Sequence, residues 1–157
     1  MNAILFAEKG GERMDVQKIR KFNRYYARVL GVFDKKYLGV DFNVTEVRII
    51  GEIGRKSSLT AKELAEFLSV DKGYMSRMMQ NLEKKGLIER VKSETDAREK
   101  HLRLTAEGEA LNEILETKAD QRIFRQIDGI SAEEFEALLG AMETIEKIMG
   151  KPMKEEN

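Results

Sequence analysis

"TAKELAEFLSVDKGYMSRMMQNLEKKGLIERVKSETDAREKHLRLTAEG", residues 60–108, carries the pattern on which the fold turns. It opens on Thr60-Ala-Lys-Glu63, a spacing in which the threonine hydroxyl takes the amide three residues on and the glutamate reaches back to the threonine amide. Leu64, Ala65 and Leu68 then mark the inner face of a short helix. After a turn at Ser69-Val70, Asp71 is placed to cap a second helix that runs to Lys85 and stops at Gly86. "LIERV" (87–91) and "HLRLT" (101–105) are short and β-compatible, and the polar segment between them predicts a hairpin with a long loop. Two close-set helices followed at once by a hairpin is the winged helix-turn-helix order.

Working outward, apolar residues at Val16, Ile19, Phe22, Tyr26, Val29, Leu30, Phe33 and Tyr37 recur at helical spacing and predict one amphipathic helix over 14–38. Val44, Val47, Ile50 and Ile53 predict a second helix, which Gly54 ends. Downstream, a helix begins at Thr105 and carries Leu111, Ile114, Leu115, Phe124 and Ile127. Asp128-Gly129 turns the chain, and Ser131 caps a last helix striped by Phe135, Leu138, Leu139, Met142, Ile145 and Met149. Gly150 and Pro152, the only proline, stop it. The expected fold is mainly α with a small β-hairpin: a single domain over 1–157, with a winged helix-turn-helix core over 44–105 between helices at 14–38 and 106–150.

Composition narrows the function. With no cysteine, thiol catalysis, zinc–thiolate sites and disulfides are excluded. His101 is the only histidine, so a metal site would have to be built from carboxylates, and a solvent-facing strand position near phosphate is the expectation for it. There is no phosphate-cradling glycine loop, no nucleophile elbow and no H-E-x-x-H, so neither an enzyme nor a cofactor is expected. No run of 18 apolar residues exists and the N-terminus lacks a secretory pattern, which predicts a cytoplasmic protein. Net charge is zero, yet Lys+Arg minus Asp+Glu is +3 over residues 1–54, +4 over 55–104 and −7 over 105–157. A basic front and middle with an acidic end suits a protein that turns one face to a polyanion.

On the helix from Asp71 to Lys85, Met75, Met79 and Leu82, joined by Met78, fall on one side and belong to the core. The opposite side shows Lys72, Gly73, Ser76, Arg77 and Gln80, a short donor-rich face near the helix N-terminus, as a DNA major groove requires. Arg77 suits guanine, Gln80 suits adenine, Ser76 serves a base or a phosphate, and Gly73 lets the backbone approach closely. Tyr74 sits at the flank, where it either bonds a phosphate or packs on the neighbouring helix. Lys92, Lys100 and Arg103 on the hairpin are candidate phosphate contacts.

The T-x-x-x-L-A start, the helix ending L-E-x-x-G-L-I, the D-x-R of the hairpin loop and the L-x-L-T-x-x-G that follows resemble the DNA-binding core of the MarR family of transcription regulators. That resemblance implies a homodimer joined through the helices at 14–38 and 106–150, reading a pseudo-palindrome in double-stranded DNA, more often as a repressor. It implies that Arg98 enters the minor groove with Asp96 holding it; the family often has Arg or Gly between them, where this chain has Ala97. It also implies a small aromatic or anionic effector between the dimer helices and the winged domain. Tyr25, Tyr26, Phe33 and Tyr37 are candidate lining residues, although packing across the dimer is the safer reading of them, since a long helix with a wide apolar face needs a partner. The alternative is a winged-helix module that binds protein without reading DNA sequence.

Overall fold

The apolar stripe at the front of the chain does make a helix, but a shorter one than its pattern. In the computed structural model, which describes residues 7–9, 12–14, 16–34, 36–56, 58–93 and 99–150 (the first two segments by backbone alone), α1 is Val16–Leu30. Gly31 adopts φ 67°. Its N–H donates to the Arg28 carbonyl at 3.0 Å, and that of Val32 donates to the Ala27 carbonyl at 3.2 Å. This pair of bonds is a Schellman stop, which a left-handed glycine makes available. Phe33 and Tyr37 therefore lie beyond α1, Tyr37 in a single 3-10 turn at Tyr37–Gly39. The 14–38 helix is corrected at its other end too, because Glu12–Met14 is a strand, β2, paired antiparallel with β1, Ala7–Lys9.

Asn43 caps α2, Val44–Arg55: its side chain accepts the Thr45 and Glu46 amides at 2.9 Å, and the Glu46 carboxylate returns to the Asn43 N–H at 2.9 Å. The inward face is Glu46, Ile49, Ile50 and Ile53, whereas Val44 and Val47, expected inside, are half-buried. Gly54 does not end the helix; Arg55 does. Leu59–Thr60 forms β3, and Thr60 then caps α3, Ala61–Phe67, with the reciprocal bonds to Glu63 that its spacing predicts. Accepting the Thr60 backbone amide, and then its hydroxyl, holds the Glu63 carboxyl below the usual carboxylate range. Asp71 caps α4, Lys72–Lys84, by accepting the Tyr74 amide at 3.0 Å. Gly86, at φ 71°, ends it.

Ile88–Lys92 (β4) and Lys100–Leu104 (β5) pair as the expected hairpin. The sheet nevertheless has three strands in the order β3-β5-β4, because Leu59 and Thr60 pair with Leu102 and His101 on the far edge of β5. A two-residue strand has no periodicity to read, so the sequence alone gives no sign of it. Then come α5, Ala106–Gln126, and α6, Ala132–Met149, the latter capped by Ser131 and Glu134 and joined through Gly129 at φ 82°.

The chain divides into two compact units, Met1–Glu116 and Thr117–Asn157. In the first, Ile49, Ile50, Leu64, Met79, Leu82 and Leu102 are fully buried in one cluster. At roughly 1.5–3 kcal/mol for each large aliphatic side chain so buried, this cluster fixes which side of α4 is inside. In the second unit, Phe135, Leu138, Leu139 and Ile145 form a stripe along α6 that is more than a third exposed.

Candidate nucleic-acid interface

Burial of Met75, Met79 and Leu82 turns the other side of α4 outward. Lys72, Gly73, Ser76, Arg77 and Gln80 are all exposed on it, as expected, and Met78 packs against the core at its edge. Lys72 and Arg77 have no carboxylate partner among the described residues, although Arg90 and Arg103 nearby do. Tyr74 is half-buried, and its ring lies 5.9 Å from the Arg77 guanidinium, which holds that side chain near the helix surface. A Cβ on Gly73 would stand 3.1 Å from the Asp71 carboxylate, so glycine keeps the cap and the backbone beside it uncrowded. The unsatisfied amides of the first turn give this end a partial positive charge. Exposed donors, free cations and a helix N-terminus thus share one face.

The hairpin sets Lys92 directly opposite Lys100. Like charges facing across a strand pair are unfavourable by themselves, and an anion between them removes the penalty. At the next step the Ser93 N–H donates to the Glu99 carbonyl at 3.0 Å, which closes the base of the loop. Arg103, expected as a phosphate contact, is exposed but bonded to Glu89, with Nε and Nη2 at 2.9 and 2.8 Å from one carboxylate oxygen. Asp96 and Arg98, with Ala97 between them, lie outside the described residues.

His101 corrects its expectation. It stands on the middle strand, opposite Thr60 on one side and Val91 on the other, and is half-buried rather than solvent-facing. Its Nδ1 is buried without a hydrogen-bond partner, and Nε2 is 3.9 Å from a Glu99 carboxylate oxygen. β3 places Thr60 beside it, a neighbour that the hairpin alone does not supply. Among the described residues no cluster of His, Asp and Glu is arranged to hold a metal ion.

The four candidate effector-lining aromatics are spread over three elements. Tyr25 is exposed on α1, Tyr26 is half-buried and stacked on Phe22 at 5.5 Å, Phe33 is 80% exposed in the turn, and Tyr37 is half-buried in the 3-10 turn. The structure does not bring them together into one described cavity.

Two residues that position α4 and the hairpin were not singled out from sequence. Glu46, 5% exposed, accepts from the Asn81 side-chain amide at 2.8 Å and from Lys85 Nζ at 3.4 Å, so it ties the cap of α2 to the last turn of α4. The Asn43-x-x-Glu46 spacing was legible as a capping box; the long-range partners were not. Glu46→Ala strands the Asn43 and Asn81 donors and should lower unfolding free energy by about 2 kcal/mol, seen as an earlier denaturation midpoint at unchanged slope. Gly108 is the second. Its N–H donates to Thr105 Oγ1 at 3.1 Å, that hydroxyl donates to the Gly86 carbonyl at 2.6 Å, and the Thr105 N–H reaches the Leu87 carbonyl at 3.1 Å. The T-x-x-G of the sequence is therefore a junction that docks the start of α5 on the turn after α4.

Comparison with known proteins gives one answer. A model of the MarR family matches residues 42–100. The chain is 30% identical over 100 residues to the multiple antibiotic resistance protein MarR of Salmonella typhimurium, covering 63% of this chain and 69% of that protein. It is 27% identical over 105 residues to the HTH-type transcriptional regulator SarZ of Staphylococcus haemolyticus, covering 67% and 70%. The crystal structure of Streptococcus pneumoniae FabT in complex with DNA superposes with a TM-score of 0.72 at 27% identity, covering 87% of this chain and 98% of that one. Wild-type apo MarR from E. coli shares the fold, with a TM-score of 0.63 over 82% of this chain and 94% of that one at 23% identity.

Proposed function

The chain belongs to the MarR family of winged-helix transcription regulators, and we propose that it works as a homodimeric, sequence-specific DNA-binding repressor in the cytoplasm, without catalytic activity. The observation that carries this reading is the outer face of α4, where Lys72, Ser76, Arg77 and Gln80 stand exposed at a helix N-terminus. Two such helices related by a dimer axis enter successive major grooves about 34–36 Å apart on a pseudo-palindrome. Arg77 and Gln80 read base edges there, while Lys72, Gly73, Tyr74 and Ser76 fix the helix against bases and backbone. The Lys92–Lys100 pair receives a phosphate, which relieves its own repulsion. Arg103 joins once Glu89 gives way to phosphate. Arg98, with Asp96 beside it, takes the minor groove, whose narrow form attracts an arginine. FabT, whose structure covers 87% of this chain, was crystallised in complex with DNA.

The reading includes the dimer and its release. The exposed apolar stripe of α6, with Ile19, Phe22 and Tyr25 on α1, is surface that a second copy covers. A small aromatic or anionic effector bound beside Tyr25, Tyr26, Phe33 or Tyr37 changes the separation of the two winged domains and so depopulates the DNA-competent state. No helix among the described residues is long and apolar enough to cross a membrane.

The test is a titration against DNA selected by the pure protein from a random pool. Affinity should fall steeply with salt, with a logarithmic slope of about −0.9 for every phosphate neutralised. Arg77→Ala should cost about 1–3 kcal/mol and relax preference at one base step, and Arg98→Ala should weaken binding as well. Lys92→Ala should weaken all sequences alike and flatten the salt slope by about 1. A module that binds only protein shows no selected sequence and no such slope, and that result ends the regulator reading of this surface.

A further inference from the structure

The exposed arginines of α4 and the hairpin are held by two different means. Arg90 Nε donates to the Glu83 carboxylate at 2.6 Å, and Arg103 Nε donates to that of Glu89 at 2.9 Å. In both, the partner takes up the charge and the N–H edge together. Arg77 has no such partner among the described residues; its guanidinium carbon lies over the Tyr74 ring, 5.9 Å from the centroid. One turn back, a Cβ on Gly73 would stand 3.9 Å from Arg77 Nη1. The side chain therefore runs toward the N-terminal end of α4, across a residue with no side chain to obstruct it. Spacings of three and four residues put both neighbours on the face that Arg77 shares.

A ring differs from a carboxylate in what it leaves over. It attracts the flat face of a guanidinium, and the N–H groups, which lie in the plane and point outward, stay available. The positive charge stays unneutralised as well. The first-turn amides already make this end of the helix partly positive, so an arginine without the ring would swing away from it.

We propose that Tyr74 is a positioning residue for base reading: with Gly73 beside it, its ring sets the Arg77 guanidinium at the N-terminal end of α4, N–H edge outward, before DNA arrives. The inference rests on the reading of α4 as the recognition helix. It adds that selectivity at one base step is set by a residue acting through another. A guanine edge asks for two N–H bonds from one orientation, whereas a phosphate takes an arginine without reading sequence. An unheld Arg77 loses more rotamer freedom on docking and settles on phosphate more often, so the step loses discrimination.

The test is a titration of the selected site against all four bases at the step that Arg77→Ala relaxes. Tyr74→Leu keeps an apolar side chain and a good helix former. It should lower discrimination at that step about two- to fivefold, the range of an exposed cation–ring contact, with the other steps as sharp as before. Tyr74→Phe keeps the ring and should keep that discrimination, whatever the hydroxyl adds elsewhere. In the Arg77→Ala background, Tyr74→Leu should remove nothing further at this step, because the ring then has no guanidinium to hold. If Tyr74→Leu blunts every step alike, the ring supports the helix and the proposal is wrong. It is equally wrong if Tyr74→Phe blunts this step as much as Tyr74→Leu does, since the hydroxyl then acts on DNA itself. A step that stays sharp in Tyr74→Leu overturns the positioning role and leaves the reading by Arg77 standing. If Arg77→Ala relaxes no step, base reading by Arg77 fails and this inference with it.

Discussion

Gly108→Ala is expected to destabilise the protein by about 3 kcal/mol or more, at the upper end of what overpacking costs. A Cβ built at this position stands 2.0 Å from the Leu87 carbonyl oxygen and 3.0 Å from its carbon. Both are backbone atoms, so no side chain can rotate away. Leu87 is held in turn by its own N–H, which donates to the Leu82 carbonyl at the end of α4, and by its carbonyl, which accepts the Thr105 amide. Room for a methyl group is made only by lifting the start of α5 off the turn between α4 and β4, and that breaks the Thr105 bonds to Gly86 and Leu87. For a chain of this size the loss corresponds to a melting temperature lower by about 6–12 °C. Gly140→Ala is the matched control: it lies within α6, a Cβ there meets nothing within 4 Å, and alanine is the better helix former. If Gly108→Ala melts with the wild type, the close docking of α5 on Leu87 is not a feature of the protein in solution.

This junction also marks what sequence can and cannot carry. The caps at Thr60, Asp71 and Ser131 were legible because each is a bond between residues three apart. The inner face of α4 was legible because Met75, Met79 and Leu82 keep helical spacing over two turns. Gly108 could be read as part of a motif, but its reason is an atom 21 residues earlier in the chain, and no local rule points there. The same holds for Glu46, whose partner Asn81 is 35 residues away, and for β3, which exists only because β5 offers it an edge. On α1 the apolar pattern ran past the helix, since the spacing of apolar residues does not sense the φ of Gly31, and Phe33 beyond it is exposed. Of the site itself, the face of α4 was readable from the sequence, and so were the positions of Lys92 and Lys100. That these two lysines face each other required the register, and so did the capture of Arg103 by Glu89.

The second large effect concerns assembly. Leu138→Glu combined with Ile145→Glu is expected to give a monomer with operator affinity reduced by about 10²–10⁴-fold. The two positions are seven residues apart, two turns along one face of α6, and their side chains are 38% and 43% exposed in the single chain. Neither belongs to the buried core of the first unit, so the recognition helix and its supports should fold as before. Covering either glutamate in an apolar interface would take a carboxylate out of water with no partner in place, and the proposed dimer has two copies of each. A monomer presents one α4 to one half-site. The proposed dimer would bind its second half-site at an effective concentration in the millimolar range, and losing that advantage would produce the fall in affinity without touching any DNA contact. Affinity for a single isolated half-site should therefore be the same in the variant and the wild type, which separates lost assembly from a damaged reading surface. Sedimentation would report the mass and a titration on full and half operators the affinities. A variant that remains dimeric and binds the full operator as tightly as the wild type would show that α6 is not where the two copies meet.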